Sequence, residues 1–199
     1  MKSEKRRSAE EIKKTLVFSF SVWYNLFMKY SYVTLYNKNA EFYNAHPTAK
    51  RAIKIGNTLL TWLFLACYGV LWLYALRIDP FETMDLVKIL FVPLLTLLTV
   101  SVLRLAITRA RPYTDEGAGI TPFITKKKAD NKSFPSRHLA CATVISMVFL
   151  PYYPIAGYML LGFSALLGYI RFALGLHYPS DLLAGASLGT CLGCLMFVL

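Results

Sequence analysis

The residues of this 199-residue chain that could do chemistry collect at the mouths of apolar segments. Three stretches carry them: Arg104 through Arg111-Pro112, Pro135-Ser136-Arg137-His138, and Arg171 through His177-Tyr178-Pro179-Ser180-Asp181. The guanidinium of arginine presents a planar fork of donors that matches phosphate oxygens and stays charged at ordinary pH. Four arginines, two imidazoles and one carboxylate together describe a phosphate pocket with a nucleophile and an acid. A His-x3-Asp pair joined by His138 could also ligate zinc. Arg104, Arg111, Arg137 and Arg171 argue against that, because four guanidiniums would repel a cation.

Local helix chemistry suggests how the groups meet. Pro179 suits the first position of a helix, where a missing N–H costs nothing. Tyr178 is then the cap and Asp181 the third helical residue, placed to reach back toward the residues before the helix. There Asp181 can accept the Nδ1–H of His177 and leave Nε2 as a nucleophile. Pro135-Ser136 likewise opens a helix whose first N–H groups favour an anion, with His138 in that first turn. Taken singly, each histidine could instead bond a neighbouring helix, and each span-end arginine could snorkel to the interface.

The elements that must position these groups are apolar helices. Hydrophobic residues make up 56% of the chain and the mean hydropathy is +0.45, against about 45–50% apolar in soluble domains. A helix needs roughly 20 apolar residues to cross a bilayer. Residues 1–15 read as a basic cytoplasmic tail. Candidate spans run over Leu16–Tyr36, Ile55–Leu76, Leu86–Thr108, Leu139 toward Pro154, Ile155–Leu174 and Leu182–Leu199. A polar link, Asn37–Lys54, follows the first, and a long hydrophilic connection, Pro112–Phe134, follows the third.

The expectation is an all-α polytopic membrane helix bundle of six transmembrane helices. Five spans plus an interfacial helix is the alternative, because Leu16–Tyr36 carries Ser19, Asn25 and Lys29. It is one domain over residues 1–199. Successive spans alternate direction, so Arg104, Arg111, His138, Arg171, His177 and Asp181 fall on one membrane face. Gly185, Gly189 and Gly193 repeat at i, i+4 and i+8, a small-residue face for close helix packing. Cys67, Cys141, Cys191 and Cys194 all lie in apolar segments and read as free thiols that pack as small hydrophobes. The net charge of +11 is spread through caps and loops, which points to lipid headgroups or an anionic substrate rather than to nucleic acid.

In order and spacing the three stretches resemble the signature of the type-2 phosphatidic acid phosphatase superfamily. That signature is a basic residue, six positions and Arg-Pro; then Pro-Ser-x-His; then Ser-Arg, five positions, His, three positions, Asp. The resemblance covers residues 85–199, the expected catalytic core. It implies that His177 attacks phosphorus to form a phosphohistidine, that Asp181 holds its imidazole, and that His138 protonates the leaving oxygen. Arg104, Arg111, Ser136 and Arg171 would bind phosphate oxygens, with backbone N–H groups of Arg137 and His138, and no metal or other cofactor is implied. Three positions depart from the pattern. Arg104 stands where lysine is usual, Arg137 where glycine is usual, and Ile170 where serine is usual. Arg137 adds either a further phosphate contact or a solvent-facing charge.

The implied function is hydrolysis of a lipid phosphate or diphosphate by an integral-membrane enzyme, with the bilayer as its setting and no obligate protein partner evident. Undecaprenyl diphosphate is favoured over phosphatidate and phosphatidylglycerophosphate. A bacterial cell membrane with an extracytoplasmic site is expected. A vanadium haloperoxidase would share the pocket but is soluble. A non-catalytic lipid-phosphate binder or anion transporter would keep the arginines yet have no need of His177 and Asp181 at this spacing.

Overall fold

A computed structural model describes residues 32–77, 82–115, 118–124 and 131–199. Its elements are α1 (32–45), α2 (Pro47–Arg77), α3 (Thr83–Ala106), α4 (Arg137–Phe149), α5 (Pro154–Ala173), α6 (Pro179–Gly193) and the short α7 (Leu195–Val198). The architecture is all-helical. Most of the expected span Leu16–Tyr36 and the whole basic tail lie outside the described residues.

Four helices are long and apolar enough to cross a membrane: Pro47–Arg77, Thr83–Ala106, Pro154–Ala173 and Pro179–Val198. Their outward faces carry Leu, Val, Phe and Trp side chains such as Leu59, Trp62, Leu90, Leu98 and Leu183, as a hydrocarbon solvent allows.

Two expectations need correction. The stretch Asn37–Lys54 is not a link, because it is helical on both sides of His46. Pro47 opens α2 at the position proline tolerates, and it breaks only the residue before it. The aromatic residues of α1 hold the segment down: Tyr32 stacks edge-on to Phe172 and Tyr178, and Tyr43 packs on Phe123. The fourth apolar segment also falls short of a full span. Helix α4 has 13 residues, about 20 Å of rise against a hydrocarbon core of about 30 Å. Pro151 and Pro154 follow its end, and a turn over 150–152 replaces further helix.

Helix α4 can be short because protein surrounds it. Every residue from Ala142 to Val148 is buried, and so are Ser133, Pro135 and Ser136 leading into it. Non-helical backbone is tolerated at depth when protein encloses it. Helix α6 packs closest, through the glycine face read from the sequence. A Cβ at Gly185 would lie 2.5 Å from the Ser136 carbonyl oxygen, one at Gly189 2.6 Å from that of Ala140, and one at Gly193 2.5 Å from Met147 Cβ. Helix α3 lies against the same core along one stripe, Ile89, Val92, Thr96, Val100 and Arg104. That i, i+3/i+4 periodicity carries Arg104 onto the buried side of the last turn.

Helices α2 and α3 meet only partway. Near their connection Leu71 and Ala75 cluster with Ile89 and Val92, and the Tyr68 hydroxyl donates to the Ile89 carbonyl at 2.9 Å. Toward the other end a cavity of about 340 Å³ separates Thr61, Phe64 and Leu65 of α2 from Leu97 of α3.

Candidate active site

The turn between α5 and α6 sets the position of His177. Gly175 takes φ +73°, a conformation that costs glycine little, and its missing side chain leaves room for Tyr36, whose ring would be 3.0 Å from a Cβ there. The chain then enters α6 with Tyr178 as cap and Pro179 in the first turn. Asp181 accepts the Tyr178 backbone N–H through Oδ2 at 3.0 Å, the reach-back read from the spacing.

His177 is 1% exposed. Its Nε2 lies 3.4 Å from an Arg111 terminal nitrogen. Arginine can only donate, so Nε2 carries the lone pair and the proton belongs on Nδ1. Burial pushes the imidazole pKa down to about 4; the Asp181 carboxylate opposes that shift, and the Arg111 and Arg171 cations add to it. A neutral imidazole with an available Nε2 is a nucleophile.

The pairing with Asp181 is looser than expected. Nδ1 stands 3.7 Å from Oδ2, which is too long for a hydrogen bond. The carboxylate is already engaged by others. Oδ1 accepts from Arg109 at 2.7 Å, and Oδ2 accepts from the Ser133 hydroxyl at 2.5 Å as well as from the Tyr178 N–H. Asp181 therefore stands beside the imidazole as a nearby charge and not as a hydrogen-bond partner.

The arginines come from three elements. Arg104 in the last turn of α3 donates to the Pro135 carbonyl at 3.1 Å. Arg111 reaches the Leu176 carbonyl at 3.4 Å, and Arg171 ends α5. All three are buried, and among the described residues the other buried charged group besides His177 is Asp181. Three buried guanidiniums, beside one buried carboxylate that Arg109 pairs, bring together donors suited to the oxygens of an anionic group.

Ser136 is fully buried, its hydroxyl has no hydrogen-bond partner, and its N–H donates to the Asp181 carbonyl at 2.9 Å. That bond ties the start of α4 to the first turn of α6. His138 and the exposed Arg137 stand at one end of the 340 Å³ cavity, which runs along α4 past Cys141 and Ala142 to Ile145. From His138 to Ile145 is about 10 Å of helix. Ile170, where a serine was expected, packs instead with Leu174 and Leu176. Among the described residues no three His, Cys, Asp or Glu side chains gather as a metal-ligand set.

Arg109 and Ser133 lie outside the positions that the three motifs legible in the sequence specify. Arg109 had a signal, being a third arginine between Arg104 and Arg111 at the exit of an apolar segment. Ser133 had none, as one hydroxyl in a polar connection.

The sequence profile of the PAP2 superfamily matches residues 85–199. The chain belongs to that superfamily. The matched region begins in α3 and holds every arginine, histidine, serine and aspartate just described, leaving α1 and α2 outside it. Two solved PAP2-like structures share the fold. LpxE from Aquifex aeolicus is 21% identical, with a TM-score of 0.61 over 77% of this chain and 88% of that one. A transmembrane PAP2-type phosphatidylglycerolphosphate phosphatase from Bacillus subtilis is 24% identical, with a TM-score of 0.56 over 85% and 94%. Comparison with curated proteins gave no significant match.

Proposed function

We propose that this PAP2 protein is an integral-membrane phosphatase that hydrolyses the phosphomonoester or diphosphate of a lipid. The observation that carries the reading is the gathering of three buried guanidiniums with a neutral, buried imidazole. His177 Nε2 attacks phosphorus, and the bond to the leaving oxygen breaks as His138 gives that oxygen a proton. Asp181 stabilises the imidazole as it turns cationic. Water, losing a proton to His138, then attacks the phosphohistidine and releases inorganic phosphate. Arg104, Arg111 and Arg171, with the Ser136 hydroxyl and the first N–H groups of α4, hold the charge that grows on the phosphoryl oxygens. Arg137, at the mouth, meets the headgroup as it arrives.

The cavity beneath His138 supports a lipid substrate. Its walls are mostly apolar, and Leu65 and Leu97 at its edge are exposed on the outer surface of the bundle. A hydrocarbon chain can lie there while its phosphate meets His177. Undecaprenyl diphosphate is the favoured substrate, with phosphatidate and phosphatidylglycerophosphate next, and the setting is a bacterial cell membrane with the site on the extracytoplasmic side. The arginine pocket supplies the positive charge, so the reaction proceeds without a metal.

Phosphate release from a panel of purified lipid phosphates and diphosphates, with chelator present, tests the reading. Wild-type protein releases phosphate from at least one lipid, whereas His177→Ala releases none. Quenched wild-type enzyme carries acid-labile, base-stable label on His177. Label on serine or aspartate would overturn the covalent route, and activity that needs added zinc would overturn metal independence.

A further inference from the structure

We infer that Arg109 and Ser133 form a positioning clamp on Asp181, through which the return of the long 112–134 connection sets the orientation of the nucleophile. The inference rests on the phosphatase reading above only for what the nucleophile does.

The clamp is built from both backbone and side chains. Arg109 and Lys132 form a parallel bridge, in which the Arg109 N–H donates to the Asn131 carbonyl at 2.9 Å and the Ser133 N–H to the Arg109 carbonyl at 3.0 Å. This short pairing fixes two side chains on the same carboxylate. Arg109 takes Oδ1 in an ion pair, and Ser133 takes Oδ2. The same Arg109 nitrogen donates to the Ser180 hydroxyl at 2.8 Å, and the guanidinium lies 4.5 Å over the Tyr178 ring. Arg109 thereby touches Tyr178, the residue after the nucleophile, and Ser180, the neighbour of Asp181 in the first turn of α6.

The geometry explains why a carboxylate 3.7 Å from Nδ1 can still orient His177. Three donors, Arg109 on Oδ1 and the Ser133 hydroxyl and Tyr178 N–H on Oδ2, hold it so that it cannot rotate freely. The Ser133 hydroxyl and the Tyr178 N–H both hold Oδ2, the oxygen 3.7 Å from Nδ1, and so fix where it stands beside the imidazole. The ion pair with Arg109 is only partly exposed, the arginine side chain being 25% accessible and the carboxylate buried. Water therefore cannot replace Arg109 without entering the site. Neither Arg109 nor Ser133 needs to touch phosphate in this role.

Two readouts test the clamp. In turnover, Arg109→Ala should lower kcat by about ten- to a hundredfold, the range for residues that hold a catalytic ligand from behind, while KM moves less than threefold. Added guanidinium should restore at least part of the lost kcat, and Ser133→Ala should lower kcat with KM unchanged. A KM effect with kcat unchanged would overturn the clamp and make Arg109 a substrate contact; so would a kcat within twofold of wild type.

The second readout needs no activity. The chain has three histidines, so selective ¹⁵N-histidine labelling can resolve His177 by NMR in micelles. Wild type should show a single Nδ1–H tautomer, and Arg109→Ala a mixture that guanidinium reverses. Should Arg109→Ala fail to fold, Arg109→Lys and Ser133→Ala carry the same comparison. An unchanged tautomer in both would overturn the clamp. Absence of phosphate release from every lipid, by contrast, would overturn the phosphatase reading alone and leave the tautomer to decide the clamp.

Discussion

At the scale of single residues, the buried imidazole makes a prediction about stability as well as reactivity. His177 titrates near 4 in the folded chain and near 6.5 once unfolded. Between those values the unfolded chain binds a proton that the folded one refuses, so stability falls as pH drops from about 6.5 to 4. The full slope is about 1.4 kcal/mol per pH unit, and below pH 4 this group adds no further change. Thermal unfolding in detergent at pH 7.0, 5.5 and 4.5 should show the decline, and His177→Gln should flatten part of it. An equal decline in the variant would assign the slope to other groups. His177 stays deprotonated down to about pH 4, so an acid limb of kcat/KM near pH 6 would belong to the substrate phosphate rather than to this imidazole.

At the scale of helices, close packing and an open seam sit on opposite sides of α4. Its α6 side has no slack. Gly189→Ala would place a methyl 2.6 Å from the Ala140 carbonyl, and overpacking of that kind costs about 1–3 kcal/mol. The shift also reaches His138, two residues earlier, so the variant should lose both thermal stability and kcat. An unchanged melting temperature would mean that α6 can slide. On the α2 side there is space, and Cys141→Trp should fill the groove. Activity on long-chain lipid phosphates should then fall at least tenfold more than on a short-chain analogue, and equal losses on both would show that chains do not enter there. These contrasts also show where sequence was legible. Periodicity placed α2, α3, α5 and α6, and proline and aspartate at fixed offsets placed the α6 cap. The helical nature of 37–54 was hidden because polar residues there face outward while a few aromatics do the anchoring. The shortness of α4 was hidden because burial by neighbours, not its own apolar length, decides how far it must reach. Arg109 and Ser133 meet Asp181 only after the chain folds, so no spacing rule within one stretch could name them.

At the scale of the whole molecule, sidedness decides which biology the chemistry serves. With Leu16–Tyr36 across the membrane, the 112–134 connection faces outside and the tail inside. In a background lacking Cys67, Cys141, Cys191 and Cys194, Thr121→Cys should react with an impermeant maleimide on intact cells, and Ser3→Cys only after permeabilisation. Protection of position 121 in intact cells would put the site in the cytoplasm and remove extracytoplasmic lipid diphosphates from its substrates. Lys29 within that first segment opposes insertion by about 2.5–3.5 kcal/mol at mid-membrane, so the margin is modest. The groove has one further consequence. One of its walls, Thr61, Phe64 and Leu65, belongs to α2, which lies outside the region matched by the superfamily profile and bears none of the reacting groups. One wall of the groove is thus encoded apart from the reacting groups, while Leu97, Cys141, Ala142, Ile145 and Leu167 share their length of chain. A lineage could reshape that one wall and inherit the rest unaltered, adjusting the groove's bore without touching its chemistry.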